Sequence, residues 1–221
     1  MSFSQEEIAR ELAKLDFTKD FSNAAHRDSF KEVFRLSLEF LSSTQDLSIW
    51  EPDSSLKDFF SFLGSQKNGN TLGISLIPSL TCLSILKEAN QFSKDDFSVN
   101  ALAVSEENWK GKFFNIRSEI LSDGEMVLSK SHITNGTIAD RYFCVVKNGD
   151  QYPFVILSKS CLEGHLEPFV VPKFPHSSHA KVQNVKIRKT EYSLLPVTYR
   201  SVFRKVVEKE QVLYRCLGIE F

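Results

Sequence analysis

The sequence predicts an α+β chain in three parts: a helical domain over residues 1–97, an antiparallel β-barrel or sandwich over 98–190, and one C-terminal helix with its tail over 191–221. Three observations predict it. Apolar residues of the first hundred positions recur at helical spacing. Near Ser98 the period falls to two, the alternation of a half-buried strand. From Pro196 the helical spacing returns.

Ser4 followed by Glu7 makes a capping box, in which hydroxyl and carboxylate each satisfy an orphan backbone N–H. The first helix runs on through Ile8, Leu12 and Leu15. A second starts near Asp28, with Phe30, Val33, Phe34, Leu38 and Leu41 on one stripe. A third starts at Asp53 and carries Leu56, Phe59, Phe60 and Leu63, with Gly64 placed as its C-terminal cap. Lys67 to Asn70 reads as a loop. Thr71 to Asn90 reads as an apolar helix in which Pro78 marks a start or a kink. In the β-region, Val99–Ser105 is β-rich. In Phe113–Leu121, the residues Phe114, Ile116, Ser118 and Ile120 share a face. Met126–Ile133 follows the turn Ser122-Asp123-Gly124. Arg141–Lys147 and Tyr152–Lys159 form a hairpin across Asn148-Gly149-Asp150. Residues 162–179, with Pro168, Pro172 and Pro175, are irregular, and a last strand runs through Val182, Val185 and Ile187. The terminal helix carries the stripe Tyr199, Val202, Phe203, Val206, Leu213, Tyr214 and Leu217, which must dock on the β-domain or on another subunit. The apolar tail beyond it favours an oligomer.

Composition bounds the function. The 221 residues are 42% apolar and 25% charged, which excludes disordered and collagen-like chains. The 19 Phe residues call for a sizeable core. No apolar run reaches the roughly 18 residues of a membrane span, and the acidic N-terminus is unlike a secretory signal. These features place the protein in the cytoplasm. Cys82, Cys144, Cys161 and Cys216 have neither CxxC nor zinc-ligand spacing, and the five His are scattered, so no metal site is expected. The net charge of −1 conceals an asymmetry, −5 over residues 1–100 and +5 over 181–221. With little aromatic interleaving in the basic tail, a solvated helix face is favoured over nucleic-acid binding.

One stretch carries chemistry. Ser129-Lys130-Ser131-His132-Ile133-Thr134-Asn135-Gly136 and then Ala139-Asp140 resemble the Gly-x-Lys-x-aromatic-Ile-Thr-Asn run of the acyl-CoA dehydrogenase family. Ala101-Leu102-Ala103-Val104-Ser105-Glu106 resembles the strand ending in Thr-Glu that opens the middle β-domain of that family. Ser178 to Ile187 resembles its closing strand. The resemblance implies an FAD site lined by Ser105, Glu106, His132, Ile133 and Thr134. An aromatic ring would support the isoalloxazine, and hydroxyl groups would bond its polar edge. The same residues have plainer readings. Ser105 fits a strand-end turn, His132 an ordinary surface or core histidine, and Thr134-Asn135-Gly136 a turn alone.

The departures from the family pattern are specific. Trp109 and Lys110 stand where the family has small residues near the flavin phosphates. The chain ends at Phe221, about one helix into the region that forms a four-helix domain in the family and usually supplies the catalytic carboxylate. No base is assigned, and Glu208 and Glu210 read as exposed helical glutamates. Three readings follow. One is an FAD-linked oxidoreductase subunit that is inactive alone and needs a helical subunit. Another is a non-catalytic relative acting as a binding or assembly module for acyl-CoA or an acyl carrier. The third is a stand-alone α+β protein.

Overall fold

The computed structural model describes residues 4–16, 21, 23–44, 46–47, 51–107, 115–172 and 178–219, without the side chains of 203–205. Helix α1 (Gln5–Ala13) starts on the expected capping box, with Ser4 Oγ accepting from Glu7 N at 3.2 Å and Glu7 Oε2 accepting from Ser4 N at 2.8 Å. Helix α2 (Ala24–Thr44) starts four residues before Asp28, because Asn23 Oδ1 takes the His26 N–H and caps the helix there. Helix α3 (Ser54–Ser65) is capped by Asp53 as its sequence predicts. Gly64 does not end it. A Cβ on Gly64 would lie 3.1 Å from the backbone of Cys216 and Leu217, so the glycine admits a crossing helix. Helix α4 (Gly69–Glu88) takes in Gly69 and Asn70, half of the expected loop, and keeps Pro78 in its interior. A side chain on Gly69 would collide with the Leu63 carbonyl oxygen.

Helix α4 corrects the expectation about apolar runs. Its 20 residues are apolar enough to cross a bilayer, but 89% of its most apolar window is buried within the fold. It packs against α2, α3, α6 and strand β1, so its uniform hydrophobicity is that of a core helix.

The strands lie in two stacked sheets among the described residues, the sandwich and not the closed barrel. The first sheet has the order β1-β4-β5-β8, formed by β1 (Asn100–Ala103), β4 (Arg141–Val145), β5 (Pro153–Ser158) and β8 (Tyr192–Thr198). The second has the order β2-β3-β7-β6, formed by β2 (Glu119–Ile120), β3 (Met126–Ile133), β7 (Ala180–Ile187) and β6 (Glu167–Pro168). Isolated bridges at Leu102–Thr134 and Glu119–Lys147 link them. The pairing is not wholly antiparallel, since β1 runs parallel to β4. The β4–β5 hairpin forms as predicted.

The first sheet is a middle layer. Phe143, Val145 and Phe154 face the helices, while Tyr142, Cys144, Val155 and Leu157 face the second sheet. Asp140 ties the layers together: it accepts from Val99 N at 3.0 Å and pairs with Lys31 of α2.

Two β-strand expectations change. Of Phe113–Leu121, residues 113–114 lie outside the described residues, and only Glu119–Ile120 enters a ladder. Ile116 and Ser118 are buried as their face predicts. The N–H groups of Arg117 and Ser118 go to the Glu106 carboxylate instead of a strand. The sheet also continues past residue 190 through β8, where buried Leu195 and Val197 alternate with exposed Leu194 and Pro196. Strand β8 is an edge, which tolerates a proline that cannot donate to a ladder. The helix therefore starts at Tyr199, not Pro196.

Helix α6 (Tyr199–Cys216) docks on α3 and α4 of its own chain, burying Tyr199, Val202, Val206, Leu213 and Leu217. Ile219 beyond it is 5% exposed. The described stripe residues and Ile219 thus have an internal partner and by themselves give no argument for an oligomer. The Phe203 side chain lies outside the described residues.

Candidate functional site

A cavity of about 220 Å³ lies between α4, α6 and the ends of β1 and β3. Ser105, His132 and Thr134 line it, as do Thr81, Phe154, Tyr199 and Glu210. The local fold explains how His132 and Thr134 come to face it. Along β3, Met126, Leu128 and Lys130 are buried by simple alternation, yet the next buried position is Ile133. The register with β7 shifts between Lys130 and Ile133, and this irregularity changes which residues point into the sandwich. Beyond it Ile133 packs in the core between the sheets, while His132 and Thr134 turn to the cavity. The expected turn follows. Asn135 adopts the left-handed conformation at φ 67° and donates through Nδ2 to Ser75 O at 2.8 Å and Asn100 O at 2.9 Å. This pins the end of β3 to α4 and β1.

Among the described residues, the Ser105 and Thr134 hydroxyls make no hydrogen bond within the chain. His132 is exposed, contacts Ser131 Oγ through Nδ1 at 3.2 Å and meets Phe169 edge-on at 5.2 Å between ring centres. Phe169 stacks in turn on His179 at 5.7 Å. Burial, aided by the nearby His132 ring, pushes His179 down to about 4, so its ring is neutral at pH 7.

Two of the five predicted residues do not reach the cavity. Ile133 is fully buried. The Glu106 carboxylate pairs with Lys130 Nζ at 2.5 Å, with both side chains almost wholly enclosed. The residues of the expected phosphate approach, Trp109, Lys110 and Gly111, lie outside the described residues.

The structure adds Glu210, which sequence reasoning took for an exposed helical residue. Glu208 is exposed, but Glu210 is half-buried and lines the cavity. Thr81 Oγ1 donates to Glu210 Oε1 at 2.6 Å. Burial pushes the Glu210 carboxyl up to about 7, against the downward pull of that hydroxyl. Burial also raises Tyr199 and Tyr214, with the Glu210 charge as the second cause. A signal for Glu210 was present in the sequence: it falls four residues after Val206 and three before Leu213, on the apolar stripe itself.

No metal-ligating cluster occurs among the described residues, and the four cysteines are free. No protein-family model and no curated protein matches the sequence. Solved structures do match. Butyryl-CoA dehydrogenase from Megasphaera elsdenii aligns over 98% of this chain at 14% identity and a TM-score of 0.66. The prolyl acyl carrier protein oxidase AnaB aligns over 96% at 14% identity and 0.64, and a structure described as an FAD-dependent dehydrogenase over 98% at 16% and 0.61. The chain carries the acyl-CoA dehydrogenase fold. It spans 66%, 63% and 65% of those three structures respectively.

Proposed function

We propose that this chain forms the flavin-facing part of an acyl-CoA dehydrogenase-type oxidoreductase that desaturates an acyl thioester. One observation carries the reading. In a single cavity, two hydroxyls without protein partners and an exposed aromatic ring meet a carboxyl held at about 7. The names of two structural neighbours, one for an acyl-CoA and one for an acyl carrier protein, support the substrate class.

The residues fit the polar edge of a flavin ring. Ser105 and Thr134 would hydrogen-bond that edge, and His132 would lie along it. FAD, when bound, supplies a two-electron acceptor for a hydride leaving the β-carbon. Ionised Glu210 takes the proton from the carbon next to the thioester carbonyl. A base of about 7 is half ionised at neutral pH and strong enough to accept a proton. Thr81 orients its carboxyl, and Leu102, Val104, Phe154, Val202 and Val206 give the cavity an apolar wall.

At about 220 Å³ the cavity is smaller than the roughly 300–1,000 Å³ of ordinary ligand sites. The reading therefore includes further helices, outside these 221 residues, that complete the site within a homo- or hetero-oligomer. Four free cysteines suit the reducing cytoplasm. The assembly-module reading has no use for a carboxyl of raised pKa inside the cavity, so the catalytic reading is preferred.

Titrating FAD into the purified protein, followed by visible absorbance, tests the proposal. Each lost hydrogen bond is worth about 1 kcal/mol, or roughly five-fold in affinity. The Ser105→Ala/Thr134→Val variant should therefore bind FAD more than ten-fold more weakly. Equal affinities, or no binding by the wild type at roughly millimolar FAD, would overturn it.

A further inference from the structure

The second sheet contains a buried ion pair that the proposed chemistry does not use. The Lys130 side chain is 0% exposed and that of Glu106 is 3% exposed. Desolvation of two charges is costly, and such a pair persists where each charge is also fully hydrogen-bonded. Here each is. Lys130 Nζ donates to Glu106 Oε1 at 2.5 Å, to Val145 O at 2.6 Å and to Val104 O at 3.4 Å, which uses its three protons. Glu106 Oε2 accepts from Arg117 N at 2.5 Å, and the carboxylate also takes Ser118 N at 3.2 Å.

These partners belong to separate stretches of chain. Val104 and Glu106 flank Ser105. Lys130 precedes the register shift that re-aims His132 and Thr134. Val145 ends β4, and Arg117 and Ser118 lead into β2. A direct bond closes the arrangement, with Ser131 N donating to Ser105 O at 2.9 Å. The two cavity-lining segments therefore meet at this backbone hydrogen bond as well as at the Leu102–Thr134 bridge, and the ion pair sits immediately behind the Ser105–Ser131 contact.

We propose that the Lys130–Glu106 pair is the positioning element of the cavity. It holds the Ser105 segment against the His132–Thr134 segment and so fixes the spacing at which the two hydroxyls receive a ligand. Lys130 and Glu106 touch no ligand themselves. The proposal rests on the flavin reading only for the identity of that ligand.

Amide hydrogen exchange separates positioning from general stability. In Glu106→Ala, the Arg117, Ser118 and Ser131 amides should exchange at least about ten-fold faster, while those of the β4–β5 ladder stay as in the wild type. Glu106→Gln, which keeps an acceptor oxygen, should fall between. If Glu106→Ala does not fold, the Lys130→Met/Glu106→Gln variant, with no buried charge, gives the same comparison. Unchanged Ser131 protection in a folded variant overturns the proposal. The second readout is FAD affinity, which should weaken about ten-fold in step with Ser131 exchange. Lost protection with unchanged affinity would also overturn the positioning role. A wild type that takes up no FAD refutes the flavin reading but leaves the exchange comparison to decide the role of the pair.

Discussion

Glu210 makes the pH dependence of folding a direct reporter on the cavity. Its carboxyl stands at about 7 in the folded protein against an ordinary 4.5. At 1.36 kcal/mol per pH unit, the difference amounts to about 3 kcal/mol between its protonated and ionised forms. Because the folded value lies above the unfolded one, the folded state favours the proton. Near and below pH 4.5 the wild-type glutamate is protonated and imposes no penalty. As pH rises through about 7, that favourable term is lost and the full penalty is present by pH 8. Glu210→Gln keeps the shape and an acceptor for Thr81 but cannot ionise. It should be close to neutral at pH 4.5 and stabilising by about 3 kcal/mol at pH 8. Urea unfolding of both proteins at several pH values between 4.5 and 8 gives the difference curve. A difference that stays flat across this range would refute the reasoning, because it would place the carboxyl in water.

Three further outcomes are expected. His179, pushed down to about 4, should act in the opposite sense: its stabilising term is present above pH 6.5 and lost as pH falls through 4, so His179→Phe should flatten the acid side of thermal melts followed by circular dichroism. Lys130→Met alone strands a buried carboxylate and should cost about 3–5 kcal/mol, much of it recovered in the double variant with Glu106→Gln, as measured by chemical denaturation. Gly69→Ala drives a methyl into Leu63 O and should destabilise the α3–α4 junction by at least about 2 kcal/mol in the same assay.

Local physics made much of the fold legible. The Ser4–Glu7 box, the Asp53 cap and the Asn148-Gly149-Asp150 hairpin are decided by neighbours a few residues apart, and all appear. What stayed hidden depends on distant partners. Strict alternation puts Lys130, His132 and Thr134 on one face, and only pairing with β7 shows the shift that separates them. Glu210 owes its character to burial in the cavity, beside Thr81 129 positions away. Glu106 matched a flavin-site motif by position, but three N–H donors from elsewhere in the chain turn it inward. Strand β8 was obscured because Pro196 reads as a helix start until its edge position is known.

The crossing at Gly64 bears on how well the proposed base can be aimed. The α6 backbone at Cys216 and Leu217 rests in the gap left by the missing side chain, six to seven residues along the helix from Glu210. That is roughly 9–10 Å at 1.5 Å per residue. Sliding α6 by one turn would carry the carboxyl about 5.4 Å, out of reach of Thr81. The gap acts as a detent that sets the axial register of the helix. A methyl at position 64 would lift or shift α6 by a few tenths of an ångström at the anchor, and the carboxyl two turns away would follow. Reactivity at the cavity is thus tunable from a residue that is not part of its lining.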